Sequence, residues 1–151
     1  MGNVPLPDRA RMRMPMTSRV VIVDYSVMYY RGVAKTALPA VRNGKFVQVR
    51  HGDTEYLVLS PKECSPYHAD ILERFCRERS IEGAYQEGKK RFDIRDAEWV
   101  IQGGGKFEIN EKKRHLRFYG DSMAYGRFDE KGLVDKVRQA DMLKNYKVTV
   151  E

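Results

Sequence analysis

Ser65-Pro66-Tyr67-His68-Ala69-Asp70-Ile71-Leu72 is the stretch around which this chain is organised. Ser is a preferred N-cap, Pro a preferred first helical residue, and an acidic residue is favoured in a first turn, so we predict a helix that begins at Pro66. Behind this start, apolar residues recur at helical spacing and form one face that can be buried: Ile71, Leu72, Phe75 and Cys76.

This helix places a histidine at its positive end. The backbone N–H groups of Tyr67, His68 and Ala69 would lack acceptors within the helix, and with the helix dipole they offer a site for an anion such as phosphate. The same dipole disfavours an imidazolium, so we expect His68 to stay neutral and able to accept a proton. The alternative is an ordinary core histidine, because His68 falls on the apolar face.

Composition indicates a soluble globular protein. Of 151 residues, 42% are hydrophobic and 32% are charged, and the two cysteines are too few for a disulfide framework. With two cysteines, no secretory signal and no membrane-spanning run, the cytoplasm is the expected location. We also expect a monomer. The net charge of +7 favours acidic or phosphorylated partners, with nucleic acid as an alternative. We predict one domain over residues 19–151, preceded by a flexible arm over residues 1–18 that has no helical or strand period.

Strand patterns flank the helix on both sides. The nearly continuous apolar run Arg19 to Tyr25 predicts a central strand covered on both faces. Asn43-Gly44 predicts a hairpin turn, and His51-Gly52-Asp53 marks a second turn before a strand at residues 55–59. Residues 83–96 are polar and basic, and we interpret them as a surface loop or short helix.

The C-terminal half continues the sheet. Alternation predicts that Phe107, Ile109, Leu116 and Phe118 point inward, with a second helix from Asp129 or Glu130 that buries its apolar side, and a last strand at residues 146–150. The predicted fold is therefore α/β, a mixed, mostly antiparallel sheet with two packed helices.

Two glycine-rich segments suggest close backbone approach. Gly103-Gly104-Gly105 is either a turn or a place where another backbone or a ligand comes close. The loop Gly120 to Gly126 follows a strand, and its N–H groups could grip an anion. An ordinary strand-to-helix connection would have a similar sequence.

Three segments taken together resemble a known family. YHADI (67–71), GGGK (103–106) and YGDSMAYG (119–126), in this order, resemble the phosphohistidine phosphatase family, also called the Janus/Ocnus family. The resemblance implies a small α/β fold, no metal and no cofactor. It implies that His68 is the catalytic general base and that phosphate is bound largely by backbone amides of Tyr67, His68, Ser122 and Ala124. The implied phosphate-binding residues are Arg19, Tyr67, Ser122, Met123 and Ala124.

The chain departs from the family pattern at two positions. Ser60 stands where family members tend to carry Arg, and Glu130 stands where they carry a second His. Arg50, Lys62 or Arg127 could supply the missing positive charge. These departures motivate an alternative hypothesis, a non-catalytic relative that binds phosphate or polyanions.

Two further motifs offer competing interpretations. Arg50-His51-Gly52 resembles the RHG motif of the histidine phosphatase superfamily, in which His is a covalent nucleophile. That motif normally leads into a helix, whereas a strand pattern follows here, so we interpret it as a turn. In a thiol phosphatase, the signature that begins at Cys64 would require Arg at the position that Asp70 occupies. We predict that Cys76 lies in the core and that Cys64 lies at or near the surface.

These observations lead to one main hypothesis. The chain is expected to be a metal-independent phosphatase that uses His68 to activate water against phosphohistidine, with phospholysine as a further substrate. Its expected substrates are phosphohistidine-containing proteins or small phosphoramidates.

Overall fold

A mixed six-stranded sheet forms the centre of the protein. The computed structural model describes residues 19–86, 88 and 90–151; the arm predicted over residues 1–18 lies outside this range. The strands are β1 (Arg19–Asp24), β2 (Val41–His51), β3 (Thr54–Pro61), β4 (Gly83–Tyr85), β5 (Phe92–Ile94), β6 (Trp99–Asn110), β7 (His115–Tyr119) and β8 (Lys147–Val150). The main sheet has the order β1-β3-β2-β6-β7-β8, and β4 pairs with β5 in a separate hairpin.

The strand pairs confirm the predicted fold class. The pairs β2–β3, β2–β6 and β6–β7 are antiparallel, whereas β1–β3 and β7–β8 are parallel. The hairpin turn between β2 and β3 lies at His51-Gly52-Asp53, as predicted, where Gly52 has a φ of 62°. Because L side chains are strained at such angles, glycine suits this turn.

Two helices cover opposite faces of the sheet. Helix α1 (His68–Glu78) packs on the face that carries Val47, Val49 and Val58, together with the β4–β5 hairpin. Helix α2 (Leu133–Arg138) covers the other face, where the predicted inward residues lie: Phe107, Ile109, Leu116 and Phe118. Shorter helical segments span Met28–Val33 and Asp141–Leu143.

Several local predictions were wrong. β1 is an edge strand rather than a central one, because its parallel pairing with β3 places it at the end of the strand order. Asn43-Gly44 lies inside β2 rather than in a turn. A Cβ at Gly44 would lie 2.0 Å from the Ser60 carbonyl oxygen, so glycine serves close strand approach there.

The segment from residue 83 to 96 contains the β4–β5 hairpin and not a loop or short helix. Its apolar residues explain the difference, since Phe92 is buried in the α1 face and stacks edge-on against Tyr85 with ring centroids 5.2 Å apart. The second helix begins later than predicted, at Leu133 after Gly132, whose φ is 66°. Cys76 is buried and Cys64 is partly exposed, as predicted.

Candidate active site

His68 is the first residue of α1. Tyr67 is the N-cap residue in an extended conformation, with φ −128° and ψ 151°, and it makes no side-chain cap. The predicted start at Pro66 was therefore wrong. Ser65, predicted as the N-cap, is buried, and its Oγ lies 2.8 Å from Ser60 Oγ. The Ser65 hydroxyl therefore pairs with Ser60, one of the two residues that depart from the family pattern, and does not cap the helix.

The later start moves the amides that could hold an anion. First-turn N–H groups have no acceptor within their own helix, and here these are the amides of His68, Ala69 and Asp70. Asp70 N–H donates to the Tyr67 carbonyl at 3.1 Å, whereas the amides of His68 and Ala69 have no acceptor in the part of the chain that the structure describes. Tyr67 itself is 65% exposed at the edge of this region.

The His68 ring is held in one orientation. Its Nε2 lies 2.9 Å from the Gly105 carbonyl oxygen. Because a carbonyl only accepts hydrogen bonds, Nε2 carries the proton and Nδ1 carries the lone pair in the neutral ring. Nδ1 makes no hydrogen bond to any other described residue. The ring therefore offers a free basic nitrogen.

Burial keeps this ring neutral. His68 is 7% exposed, and its burial lowers the pKa of the imidazole below the ordinary value of 6.5. The hydrogen bond to Gly105 raises the pKa, Lys45 lowers it, Asp121 raises it and Lys106 lowers it. A neutral imidazole at neutral pH is the form that can take a proton from water.

Gly104 is the contact shared by the ring and the 120–126 loop. A Cβ at this position would lie 2.8 Å from His68 Cδ2 and 2.7 Å from the Phe46 carbonyl oxygen. Gly104 N–H donates to the Gly126 carbonyl at 3.0 Å, and its own carbonyl accepts Phe128 N–H at 3.2 Å. Of the two interpretations of the triple glycine, close backbone approach is confirmed and the turn is wrong, since all three residues lie within β6.

The 120–126 loop is closed by its own hydrogen bonds. Ser122 N–H donates to the Gly126 carbonyl at 3.2 Å, and Gly126 N–H returns a bond of 2.7 Å to the Ser122 carbonyl. Ser122 Oγ accepts Tyr125 N–H at 3.1 Å. The Ser122 amide is thus engaged within the loop, whereas the resemblance implied that it binds phosphate, and the Ser122 hydroxyl keeps its own hydrogen for donation. Within the described residues, the N–H groups of Met123 and Ala124 have no acceptor, and the Met123 side chain is fully exposed.

The β4–β5 hairpin supports this loop from outside. Tyr125 Oη donates to the Phe92 carbonyl at 2.6 Å and accepts Phe92 N–H at 2.8 Å. The Arg91 guanidinium donates to the Ala124 carbonyl and lies 4.9 Å from the centre of the Tyr125 ring. Sequence reasoning treated this hairpin as surface and missed the contact, because a tyrosine hydroxyl paired with a distant backbone leaves no local pattern.

Two lysines supply positive charge beside His68. Lys45 and Lys106 are directly paired across β2 and β6, and both lower the pKa of His68. The Lys45 ammonium donates to the Pro66 carbonyl just before α1, and its Nζ lies 5.8 Å from the Tyr67 ring centre. Both lysines were missed as site residues. A usable signal was that each precedes a buried Phe on its strand and so points to the opposite face, where α1 lies.

Arg19 is not brought to this site. It pairs with Thr54, at the end of β3 remote from His68, whereas His68 contacts β6 at the level of Phe46 and Leu59. The strand residue at that level on β1 is Asp24, about 16 Å along the strand from Arg19. Arg19, which we matched to the family's active-site lysine, is therefore too far along β1 to contact His68.

The other proposed sources of positive charge differ in position. Arg127 donates to the Gly120 carbonyl at 3.0 Å, to the Glu151 carbonyl at 2.9 Å and to Glu130 Oε2 at 2.9 Å, so its charge is neutralised locally. The same pairing limits the repulsion that Glu130 could exert on a phosphate. Arg50 lies at the hairpin end of β2, remote from His68.

His51 lies at that same hairpin end. Its ring stacks on Trp99 with centroids 4.4 Å apart, and its Nε2 lies 3.8 Å from Glu98 Oε1. Among the described residues, His51, Asp96 and Glu98 form the group whose atoms are close enough to share a metal ion, but two of them are exposed and the group is remote from His68. The segment Arg50-His51-Gly52 leads into β3 and not into a helix, which fits its interpretation as a turn.

Comparison with protein families agrees with the motif positions. The family model described as Janus/Ocnus family (Ocnus) matches residues 30–147. The chain belongs to the Janus/Ocnus family. The matched range of this Janus/Ocnus protein contains α1, the triple glycine of β6 and the 120–126 loop. A search of curated proteins found no significant match. No helix in the described part of the chain has the length and apolar character needed to cross a membrane.

Proposed function

We propose that this Janus/Ocnus protein is a metal-independent phosphatase that hydrolyses phosphohistidine, and phospholysine as a second substrate, with His68 as general base. The observation that carries the proposal is the fixed orientation of the His68 ring. Nε2 donates to the Gly105 carbonyl, burial lowers the pKa, and Nδ1 is left unprotonated, with no hydrogen bond to another described residue. A general base needs such an unprotonated ring nitrogen, held by a hydrogen bond from the other nitrogen of the ring.

The surrounding groups suit a phosphoryl dianion. The amides of His68 and Ala69 lie at the positive end of α1, and those of Met123 and Ala124 belong to the adjoining loop. The ammonium groups of Lys45 and Lys106 add positive charge on the same face of the sheet. Such donors stabilise the charge that spreads over phosphoryl oxygens as the transition state forms.

The proposed reaction is a direct displacement. Water is positioned against phosphorus, its proton passes to His68 Nδ1, and the new P–O bond forms as the P–N bond breaks. The electron pair of the P–N bond leaves with the substrate nitrogen. The imidazole of the substrate departs as a neutral ring when its other nitrogen is protonated. His68 then returns its proton to solvent. Because the P–N bond is labile, positioning and one modest base can suffice.

The test is hydrolysis of a phosphohistidine peptide in the presence of EDTA by wild type, His68→Ala and His51→Ala. We expect wild type and His51→Ala to turn over, and His68→Ala to lose about 100-fold to 10,000-fold in kcat. Undiminished turnover by His68→Ala would remove its role as base. Phosphate trapped on His51 would favour the covalent histidine mechanism, and salt-dependent binding without turnover would indicate a phosphate-binding relative.

A further inference from the structure

Gln48 is a buried polar residue that the proposed reaction does not use. It lies in β2 on the face covered by α2, with no exposed surface. Its Oε1 accepts Asp129 N–H at 2.7 Å, and its Nε2 donates to the Asp129 carbonyl at 3.0 Å and to Glu55 Oε1 at 3.2 Å. The carboxamide thus grips both polar groups of one peptide backbone residue.

The orientation of this carboxamide is determined by its partners. A flipped amide would set Nε2–H against Asp129 N–H and would set Oε1 against two acceptors. Glu55 is 2% exposed and is itself held by Lys136 of α2, with Nζ 2.8 Å from Oε2. A buried network in which every member has a partner favours one geometry over its alternatives.

Asp129 directly follows Phe128 in the chain, and hydrogen bonds link Phe128 and the end of the 120–126 loop to β6. Phe128 N–H donates to the Gly104 carbonyl at 3.2 Å, and Gly104 N–H donates to the Gly126 carbonyl at 3.0 Å. Gly104 is also the residue against which the His68 ring lies. A grip on Asp129 therefore fixes one end of the loop relative to the ring.

We propose that Gln48 is a positioning residue, which sets the distance between the amides of Met123 and Ala124 and the His68 base through its two hydrogen bonds to Asp129. This inference rests on the proposed function. An apolar residue would fill the same space without desolvating a carboxamide, so filling the core does not by itself account for glutamine here.

The test compares Gln48→Leu and Gln48→Glu with Gln139→Glu, an exposed glutamine just after α2. Circular dichroism first establishes conditions in which each variant is folded. We expect Gln48→Leu to lose about tenfold to 100-fold in kcat/KM, since misplacement by about 1 Å can cost 100-fold. Hydrogen exchange of Gly104 N–H and Phe128 N–H should accelerate at least tenfold, while exchange within the β2–β3 pair stays unchanged.

Gln48→Glu adds a pH readout. The new carboxylate would face Glu55, with Lys136 and the Asp129 backbone as its other neighbours, and paired carboxylates hold a proton more tightly. Protonation restores a donor, so kcat/KM relative to wild type should rise about tenfold between pH 8 and pH 6. The ratio for Gln139→Glu should not change.

Wild-type kcat/KM together with wild-type exchange at Gly104 and Phe128 in a folded Gln48→Leu protein would overturn the proposal. Absence of turnover by wild type would instead count against the phosphatase function. In that case the hydrogen-exchange rates alone decide whether Gln48 fixes the position of the 120–126 loop relative to His68.

Discussion

Substitution of Gly104 by Ala tests the contact between the His68 ring and β6. The added Cβ would lie 2.8 Å from His68 Cδ2 and 2.7 Å from the Phe46 carbonyl oxygen, where ordinary contact begins at 3.4 Å. The ring must therefore retreat by about 0.6 Å, and the Phe46 carbonyl by slightly more. Overpacking of this kind costs about 1–3 kcal/mol in the free energy of unfolding.

Activity should fall by more than the loss of stability explains. Retreat of the ring stretches its 2.9 Å bond to the Gly105 carbonyl and moves Nδ1 away from the attacking water. We expect kcat/KM for phosphohistidine to fall about tenfold to 100-fold in protein that remains folded. Urea unfolding measures the stability, and an NMR titration of the ring gives the pKa of His68, which should rise towards 6.5 as the ring becomes less buried.

Gly52→Ala is the matched control. Gly52 lies in the hairpin turn remote from His68 with a φ of 62°, and nothing lies within 4 Å of the added Cβ. The strained backbone should cost about 1–2 kcal/mol, similar to Gly104→Ala, with no change in kcat/KM. If both variants lost stability but kept wild-type kcat/KM, the close approach of Gly104 to the His68 ring would not matter for catalysis. The assignment of the active site to His68 and Gly104 would then be wrong.

The remaining predictions concern charge and loop support. Because burial lowers the pKa of His68 below 6.5, kcat/KM should be level at neutral pH and fall about tenfold per pH unit below that pKa. The pKa of His68 is higher in the unfolded chain than in the folded chain, so the unfolded chain takes up the proton first as pH falls. The free energy of unfolding should therefore decrease as pH falls from the His68 pKa of the unfolded chain to that of the folded chain, and a His68→Asn variant should lack this decrease. Lys45→Met and Lys106→Met should each raise KM several-fold and raise the pKa of His68, measured by kinetics and NMR, whereas Lys112→Met in the exposed β6–β7 turn should do neither. Tyr125→Phe removes both bonds to the hairpin and should lower the free energy of unfolding by about 1–3 kcal/mol while raising KM; a change in stability with unchanged KM would limit the hairpin to a structural role.

The sequence by itself determined which faces are buried and where the proposed base, His68, lies along the chain. Strict alternation in Phe107, Ile109, Leu116 and Phe118 fixes one sheet face, because a register slip by one residue would expose all of them. Helical spacing behind His68 fixes the buried face of α1. These patterns are local, since neighbouring side chains in a strand or helix follow a fixed period.

Only the tertiary structure decided which groups meet at His68. The sequence does not show whether Gly44 and Gly104 form turns or allow close approach of another part of the chain. That depends on a strand or a ring from elsewhere in the sequence. Lys45 and Lys106 face each other through the β2–β6 register, and Arg19 is excluded by the β1–β3 register. A strand pattern specifies the face of each residue but not its neighbour on the next strand, so the positive charge beside His68 could not be assigned before the strand pairing was known.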